Sequence, residues 1–257
     1  MTESEIKELL DYEAGIINSK EFINDDPVQF PRRFETLQDI EIVSFLSSTI
    51  AWGNRKMICS NCEKILRLMD YKPYRYVIDK GYEELPDMNI HRTFFAKDMR
   101  HYLRGMNAIY TRYGSLADFA KSVSIADSEL PSWSLVENMN RIFADANGGC
   151  SDPRCLPGNL DTTALKRVNM ALRWLVRDDG IVDMGVWKGV LSPSQLFIPL
   201  DVHVGNTARD LGLLQRKGND KKSTILLTEK LRLMRPHDPV WYDFALFGIG
   251  VKGKSLT

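Results

Sequence analysis

Residues of a buried face recur at helical spacing along most of the chain: Ile6, Leu9 and Leu10; Ile42, Phe45, Leu46, Thr49 and Ile50; Phe94, Phe95, Met99, Leu103, Met106 and Ile109; Leu135, Met139 and Ile142. Positions three and four apart share one side of a helix, so each set predicts an amphipathic helix. No segment sustains apolar/polar alternation, and Leu196-Phe197-Ile198 is too short and too close to Pro199 to argue for a sheet. The fold class is therefore all-α, with about ten helices.

Punctuation falls at Asp25-Asp26-Pro27, Phe30-Pro31, Tyr71-Lys72-Pro73, around Pro86 and Pro131, and through the irregular stretch 147–161, NGGCSDPRCLPGNLD. Turn-forming residues in such density predict a break between two helical sub-regions there, within a chain otherwise read as a single unit over 1–257. Beyond it come a basic helix (KRVNMALRWLVRDDG), the segment VDMGVWKGV, a helix that starts at Asp201 and ends at Gly212, a basic loop, a helix to Met234, and a final amphipathic segment, 239–250.

With 257 residues and 44% hydrophobic residues the chain can bury a substantial core. Its 34 Lys and Arg balance 34 Asp and Glu, so no global field draws it to a polyanion or an anionic membrane. Any nucleic-acid surface has to be a local patch. No run approaches the roughly 20 apolar residues that span a bilayer, and MTESEIKELL opens acidic and amphipathic, so the expectation is a cytoplasmic protein with no membrane partner. The four cysteines stand as Cys59-x2-Cys62 and Cys150-x4-Cys155. In a reducing compartment they either meet on zinc or stay separate thiols; the reading taken is separate thiols, with no metal and no other cofactor.

Two segments carry candidate chemistry. In IPLDVHVGNTARDLGLL, Asp201 falls where an N-cap belongs, so first-turn N–H groups can hold its carboxylate ionised and fixed in direction. That prepares it to stabilise positive charge, although capping alone also explains an Asp there. His203, two residues on, is either a first-turn residue or a contact to a ligand. In Leu165-Lys166-Arg167-Val168-Asn169-Met170-Ala171-Leu172-Arg173-Trp174-Leu175-Val176-Arg177, Lys166 lies in the first helical turn, where the positive end of the macrodipole lowers the cost of a neutral amine. A neutral amine is what Schiff-base formation requires. Arg173 and Arg177, at i,i+4, read equally as a solvated cationic face.

The order of these parts resembles the helix-hairpin-helix DNA glycosylase superfamily, and most nearly the archaeal 8-oxoguanine glycosylases. Leu200-Asp201-Val202-His203-Val204 matches the segment that supplies their assisting Asp, Lys166 through Leu172-Arg173 matches the segment that supplies their lysine, with Ala171 in a Phe place, and Leu246-Phe247-Gly248 matches an apolar-Phe-Gly element of the last helix. The chain as a whole, over about 5–254, resembles a bacterial family of undefined function through Lys-Arg-x-Asn…Leu-Arg-Trp-x-Val-Arg, Val-Asp-x-Gly-x-Trp, Ile-Pro-Leu-Asp-x-His-Val and Asp-Phe-Ala-Leu-Phe-Gly. The resemblance implies a glycosylase-like fold with two helical sub-regions around a groove, and Lys166 and Asp201 as the catalytic pair. The partner it implies is double-stranded DNA with an oxidised or otherwise damaged base.

The chain departs from the superfamily at the hairpin, where Leu156-Pro157-Gly158 is followed by residues 159–165 before Lys166, so the glycine turn that offers N–H groups to a phosphate is missing. Candidate DNA contacts are Asn54, Arg55, Lys56, Arg167, Arg173, Arg177 and His203. Trp52 is a candidate wedge, beside Asn54, in a helix break like the one from which superfamily members enter the duplex. Trp174 and Trp187 are candidates to stack an extruded base, or simply core. Besides a glycosylase with lyase activity, a non-catalytic nucleic-acid-binding protein and a helical interaction scaffold fit the same pattern.

Overall fold

The structure is a computed structural model and describes residues 1–252. Its elements are α1 (Glu3–Ile17), α2 (Lys20–Asp25), α3 (Leu37–Thr49), α4 (Arg55–Leu68), α5 (Pro73–Ile78), β1 (Asn89–His91), β2 (Phe94–Phe95), α6 (Ala96–Tyr113), α7 (Leu116–Ser122), α8 (Pro131–Ala146), α9 (Lys166–Val176), α10 (Val202–Asp210), α11 (Lys221–Met234) and α12 (Tyr242–Lys252), with short 3-10 turns between several of them. The chain is all-α in class. The exception among the described residues is the antiparallel pair β1–β2. Phe94 and Phe95 lie in that pair and not in the helix their spacing suggests. Helix α6 begins after them because the Asp98 carboxylate accepts the Phe95 N–H at 2.7 Å, which closes its first turn.

The chain forms two compact units, Ile23–Leu160 and the combination of Met1–Phe22 with the chain from Asp161 onward. The second division falls at the end of the irregular stretch 147–161. The first puts the N-terminal helix with the C-terminal half, a pairing that no local pattern encodes.

In the continuous unit, residues 40–49 of α3 are buried on every side, so α3 is the central element. Glu41 lies within it at zero exposure, and its carboxylate accepts the Tyr110 hydroxyl (3.0 Å) and the N–H groups of Leu116 (2.9 Å) and Ala117 (2.8 Å). A buried carboxylate thus caps α7 from another helix. Helices α6 and α8 approach closely at Gly105, where a Cβ would stand 2.1 Å from the Phe143 ring.

In the discontinuous unit α12 packs against α1 and α10. Two glycines let it come close: a Cβ at Gly248 would stand 2.6 Å from Ile17, and one at Gly250 would stand 2.7 Å from Thr207 Oγ1. Phe22 closes the apolar side edge-on to Phe244 and Phe247, with ring centroids at 5.3 and 6.3 Å.

Candidate active site

Three helix N-termini of the discontinuous unit are tied together by the loop between α10 and α11. Asn219 Nδ2 donates to the Asp201 carbonyl at 3.1 Å, joining the loop to the head of α10. The Lys221 N–H donates to the Thr162 carbonyl at 2.8 Å, joining the head of α11 to the segment that enters α9. Arg209 holds the loop from inside, its guanidinium donating to the carbonyls of Arg216 (2.6 Å) and Lys217 (2.9 Å) and to Asn219 Oδ1 (2.5 Å). Gly205 makes room for this clasp, since a Cβ there would stand 2.4 Å from Asn219 Oδ1. The loop thus joins the starts of α10 and α11, capped by Asp201 and Asp220, to the entry of α9, and Lys166, Arg167, Lys217, Lys221 and Lys222 stand on the same segments.

Lys166 is the first residue of α9 and half-buried. The residue before it, Leu165, holds a left-handed backbone (φ 50°) that costs a non-glycine residue about 1 kcal/mol or more. Asn169 stabilises that turn, its Nδ2 donating to the Ala164 carbonyl at 3.1 Å while its own N–H bonds Leu165. Asp201 is the N-cap of α10, half-buried, with Oδ1 accepting the Val204 N–H at 2.9 Å. Its carboxylate is thereby aimed, and its second oxygen is left to other contacts.

Asp243 is buried in the first turn of α12. Burial pushes its carboxyl up to about 6; the Arg173 guanidinium opposes the rise, the Asp201 carboxylate adds to it, and the Lys166 ammonium opposes it. Arg173 Nη1 donates to Asp243 Oδ2 at 2.5 Å and Arg173 Nε to Asp183 Oδ1 at 3.3 Å, with the guanidinium 4.3 Å from the Phe244 ring centroid. Arg177 continues the network to Asp183, to Asp179 (3.1 Å) and to both oxygens of Asp238 (2.9 and 3.1 Å). Burial also raises Asp183, against the opposing charges of Arg173 and Arg177.

This network corrects four sequence expectations. Arg173 and Arg177, at 4% and 3% exposure, are held by carboxylates inside the unit and do not form a face toward DNA. Trp174 and Trp187, both at 0% exposure, fill the core on and beside α9 and offer no ring to an extruded base. Arg167 and His203 remain half-buried at the helix ends described above.

Asn54, Arg55, Lys56 and Trp52 belong to the other unit. Asn54 caps α4, its Oδ1 accepting the Met57 N–H at 3.2 Å, and Arg55 pairs with Asp26 at 3.3 Å, while Lys56 is exposed. Trp52 is half-buried edge-on to His91, with centroids 4.7 Å apart, and its carbonyl meets His91 Nε2 at 2.9 Å. Cys59 and Cys62 lie one turn apart on α4, Cys62 buried and Cys59 Sγ 3.5 Å from the Asp25 carbonyl; Cys155 Sγ donates to the Asp98 carbonyl at 3.1 Å, and Cys150 is exposed. Among the described residues no three His, Cys, Asp or Glu side chains gather as a metal site, and no helix is long and apolar enough to cross a membrane.

Asp243 and Asn169 were not assigned roles from sequence. The available signals were an acidic residue inside the apolar run WYDFALFG and an Asn three residues after Lys166.

A family model described as "Protein of unknown function (DUF2400)" matches residues 26–252. No curated protein and no solved structure matches the chain.

Proposed function

The chain belongs to the DUF2400 family of unknown function, and on the chemistry of its site we propose that it is a DNA glycosylase that removes a damaged base and carries lyase activity. The observation that supports this reading is that one loop joins the head of α10, where Asp201 is held as an aimed carboxylate, to the segment that leads into α9 and its first residue, Lys166. An amine beside a fixed carboxylate suits attack on the C1′ of a deoxyribose as positive charge develops on the sugar. Helix N-termini and the lysines of 217–222 suit the flanking phosphates.

In this reading Asp201 stabilises the oxocarbenium-like sugar while the N-glycosidic bond lengthens and the base leaves with the bonding electron pair. Lys166 then bonds to C1′, and opening of the sugar ring gives a Schiff base from which the 3′ phosphate can be eliminated. Extruding the base costs a few kcal/mol of stacking, least where the base is damaged or mispaired. The buried tryptophans leave the stacking partner to other residues.

The balanced net charge and the missing glycine turn favour a second reading, a protein of the same kind that binds nucleic acid without cleaving it. Borohydride trapping on duplexes with 8-oxoguanine, uracil, hypoxanthine, an alkylated purine or an abasic site separates the two. The glycosylase reading expects a covalent adduct that is lost in Lys166→Gln. Binding at low salt with no adduct and no strand scission on any duplex supports the second reading.

A further inference from the structure

Resting on the reading of Asp201 and Lys166 as one site, we propose that Asn219 is the positioning residue of Asp201. The connection between α10 and α11, clasped by Arg209, then sets where that carboxylate stands against the segment that carries Lys166. This connection, residues 211–220, is anchored at its start by Leu213 and Leu214, both buried, whose N–H groups donate to the Ala208 carbonyl at 2.8 and 3.2 Å. From there it folds back over the helix it has just left. The Arg209 guanidinium gathers it: Nε donates to the Arg216 carbonyl at 2.6 Å, and Nη2 to the carbonyls of Lys217 (2.9 Å) and Gly218 (3.3 Å) and to Asn219 Oδ1 (2.5 Å). A second arginine closes the far end, where Arg216 Nη2 donates to Asp220 Oδ2 at 2.6 Å and Nε to Ser223 Oγ at 3.2 Å, while Ser223 Oγ donates to the Gly218 carbonyl at 2.6 Å.

These bonds give Asn219 one orientation. With Oδ1 taken by Arg209, its amide nitrogen meets the Asp201 carbonyl, 3.1 Å away. The same carbonyl accepts the Gly205 N–H at 2.9 Å, so the Asp201 peptide is held on one side by its own helix and on the other by the loop. The side chain that projects from this peptide is bonded in turn to the Val204 N–H. Joining two helices needs none of this, since about two to eight residues usually suffice. Gly205 shows what the clasp demands. It lies inside α10, where glycine weakens a helix, and a Cβ there would stand 2.4 Å from Asn219 Oδ1 and 3.0 Å from Arg209 Nη1. The helix gives up propensity at the position where the clasp seats. At the end of the loop the Lys221 N–H reaches the Thr162 carbonyl at 2.8 Å, in the segment that leads into Lys166. One short stretch of chain is thus bonded both to the peptide that carries the carboxylate and to the entry of the helix that carries the amine. A shift of about 1 Å in a reacting group can cost about a hundredfold in rate, so the clasp governs the chemistry without touching the substrate.

The test uses the full chain and two variants, each checked for cooperative thermal melting. Asn219→Asp keeps an acceptor for Arg209 and loses the donor to Asp201. Gly205→Ala favours α10 and displaces the clasp without adding a charge, so agreement between the two excludes an effect of charge alone. In the first arm, without DNA, amide hydrogen exchange is followed by NMR at Val204 and Gly205, whose N–H groups bond the Asp201 side chain and carbonyl. Exchange roughly tenfold faster than in wild type is expected in both variants; unchanged exchange overturns the proposal whatever the DNA chemistry is. In the second arm the single-turnover rate of borohydride trapping is measured against duplex concentration. Each variant is expected to lose roughly tenfold or more in maximal rate at an unchanged half-saturating concentration, because Lys217, Lys221 and Lys222 all remain. A wild-type maximal rate in either variant overturns the proposal, and so does a loss confined to the half-saturating concentration, which would make the loop a binding element. Faster exchange in both variants with no adduct from wild type on any duplex instead overturns the glycosylase reading, while the hold of Asn219 on Asp201 stands.

Discussion

Replacing Arg177 with methionine keeps an unbranched stem in the core and removes the guanidinium from three carboxylates. Nε and Nη2 each lie 2.9 Å from Asp238, and Nη1 lies 3.1 Å from Asp179 with Asp183 beside it. After the change Asp183, at 2% exposure, faces Arg173 alone, at 3.3 Å. Removing one partner from a buried ion pair costs about 3–5 kcal/mol, because the remaining charge keeps its desolvation penalty and loses its compensation. The low end applies, since Arg173 stays and Asp183, already raised by burial, can take up a proton. The expected loss is therefore about 3 kcal/mol at pH 7, read from the midpoint of urea unfolding at unchanged slope. The same variant should leave the salt dependence of DNA binding unaltered, whereas loss of a phosphate contact lowers that slope by about 0.9. A stability loss below about 1 kcal/mol, the range of exposed pairs, would refute the network argument. So would a flattened salt slope with stability intact, which would put Arg177 on the nucleic acid.

Asp201→Asn should separate capping from chemistry: Asn caps as well as Asp, so stability should change by less than about 0.5 kcal/mol while adduct formation is lost, and Asp201→Ala should cost about 1 kcal/mol as well. Glu41→Ala leaves the N–H groups of Leu116 and Ala117 and the Tyr110 hydroxyl without their buried acceptor. A loss of about 3 kcal/mol or more is expected in thermal or urea unfolding, with Glu41→Gln recovering part of it. The Asp243 carboxyl rises on folding from 3.8 to about 6, so the folded chain binds its proton more tightly than the unfolded one. Its contribution to stability is present at pH below 3.8 and is lost as pH rises toward 6. Unfolding free energies measured across that window should fall more with rising pH in wild type than in Asp243→Asn; equal slopes would contradict the shift.

What could be read from the sequence was local. Asp201 is legible because an N-cap is defined by the turn that follows it, and Lys166 because its place at a helix start depends on α9 alone. Arg173 and Arg177 show where local reading stops. Spaced i,i+4 they look like a solvated face, but their partners Asp183, Asp238 and Asp243 come from the connection after α9, from the turn before α12 and from α12 itself. The same distance hides Asp243, whose setting is made by α9, α10 and α12 together. It also hides the pairing of α1 with α12, which joins the two ends of the chain in one unit. Phe94 and Phe95 satisfy the helical period and still belong to a strand, because the Asp98 cap sets the start of α6 after them.

The most direct measurement is the site of covalent attachment. Wild-type protein is trapped with borohydride on a duplex that gives an adduct in the substrate panel, digested, and sequenced by mass spectrometry. The sugar remnant is expected on Lys166 alone, with no adduct from Lys166→Gln. A remnant on any other lysine, or full trapping by Lys166→Gln, would contradict Lys166 as the nucleophile.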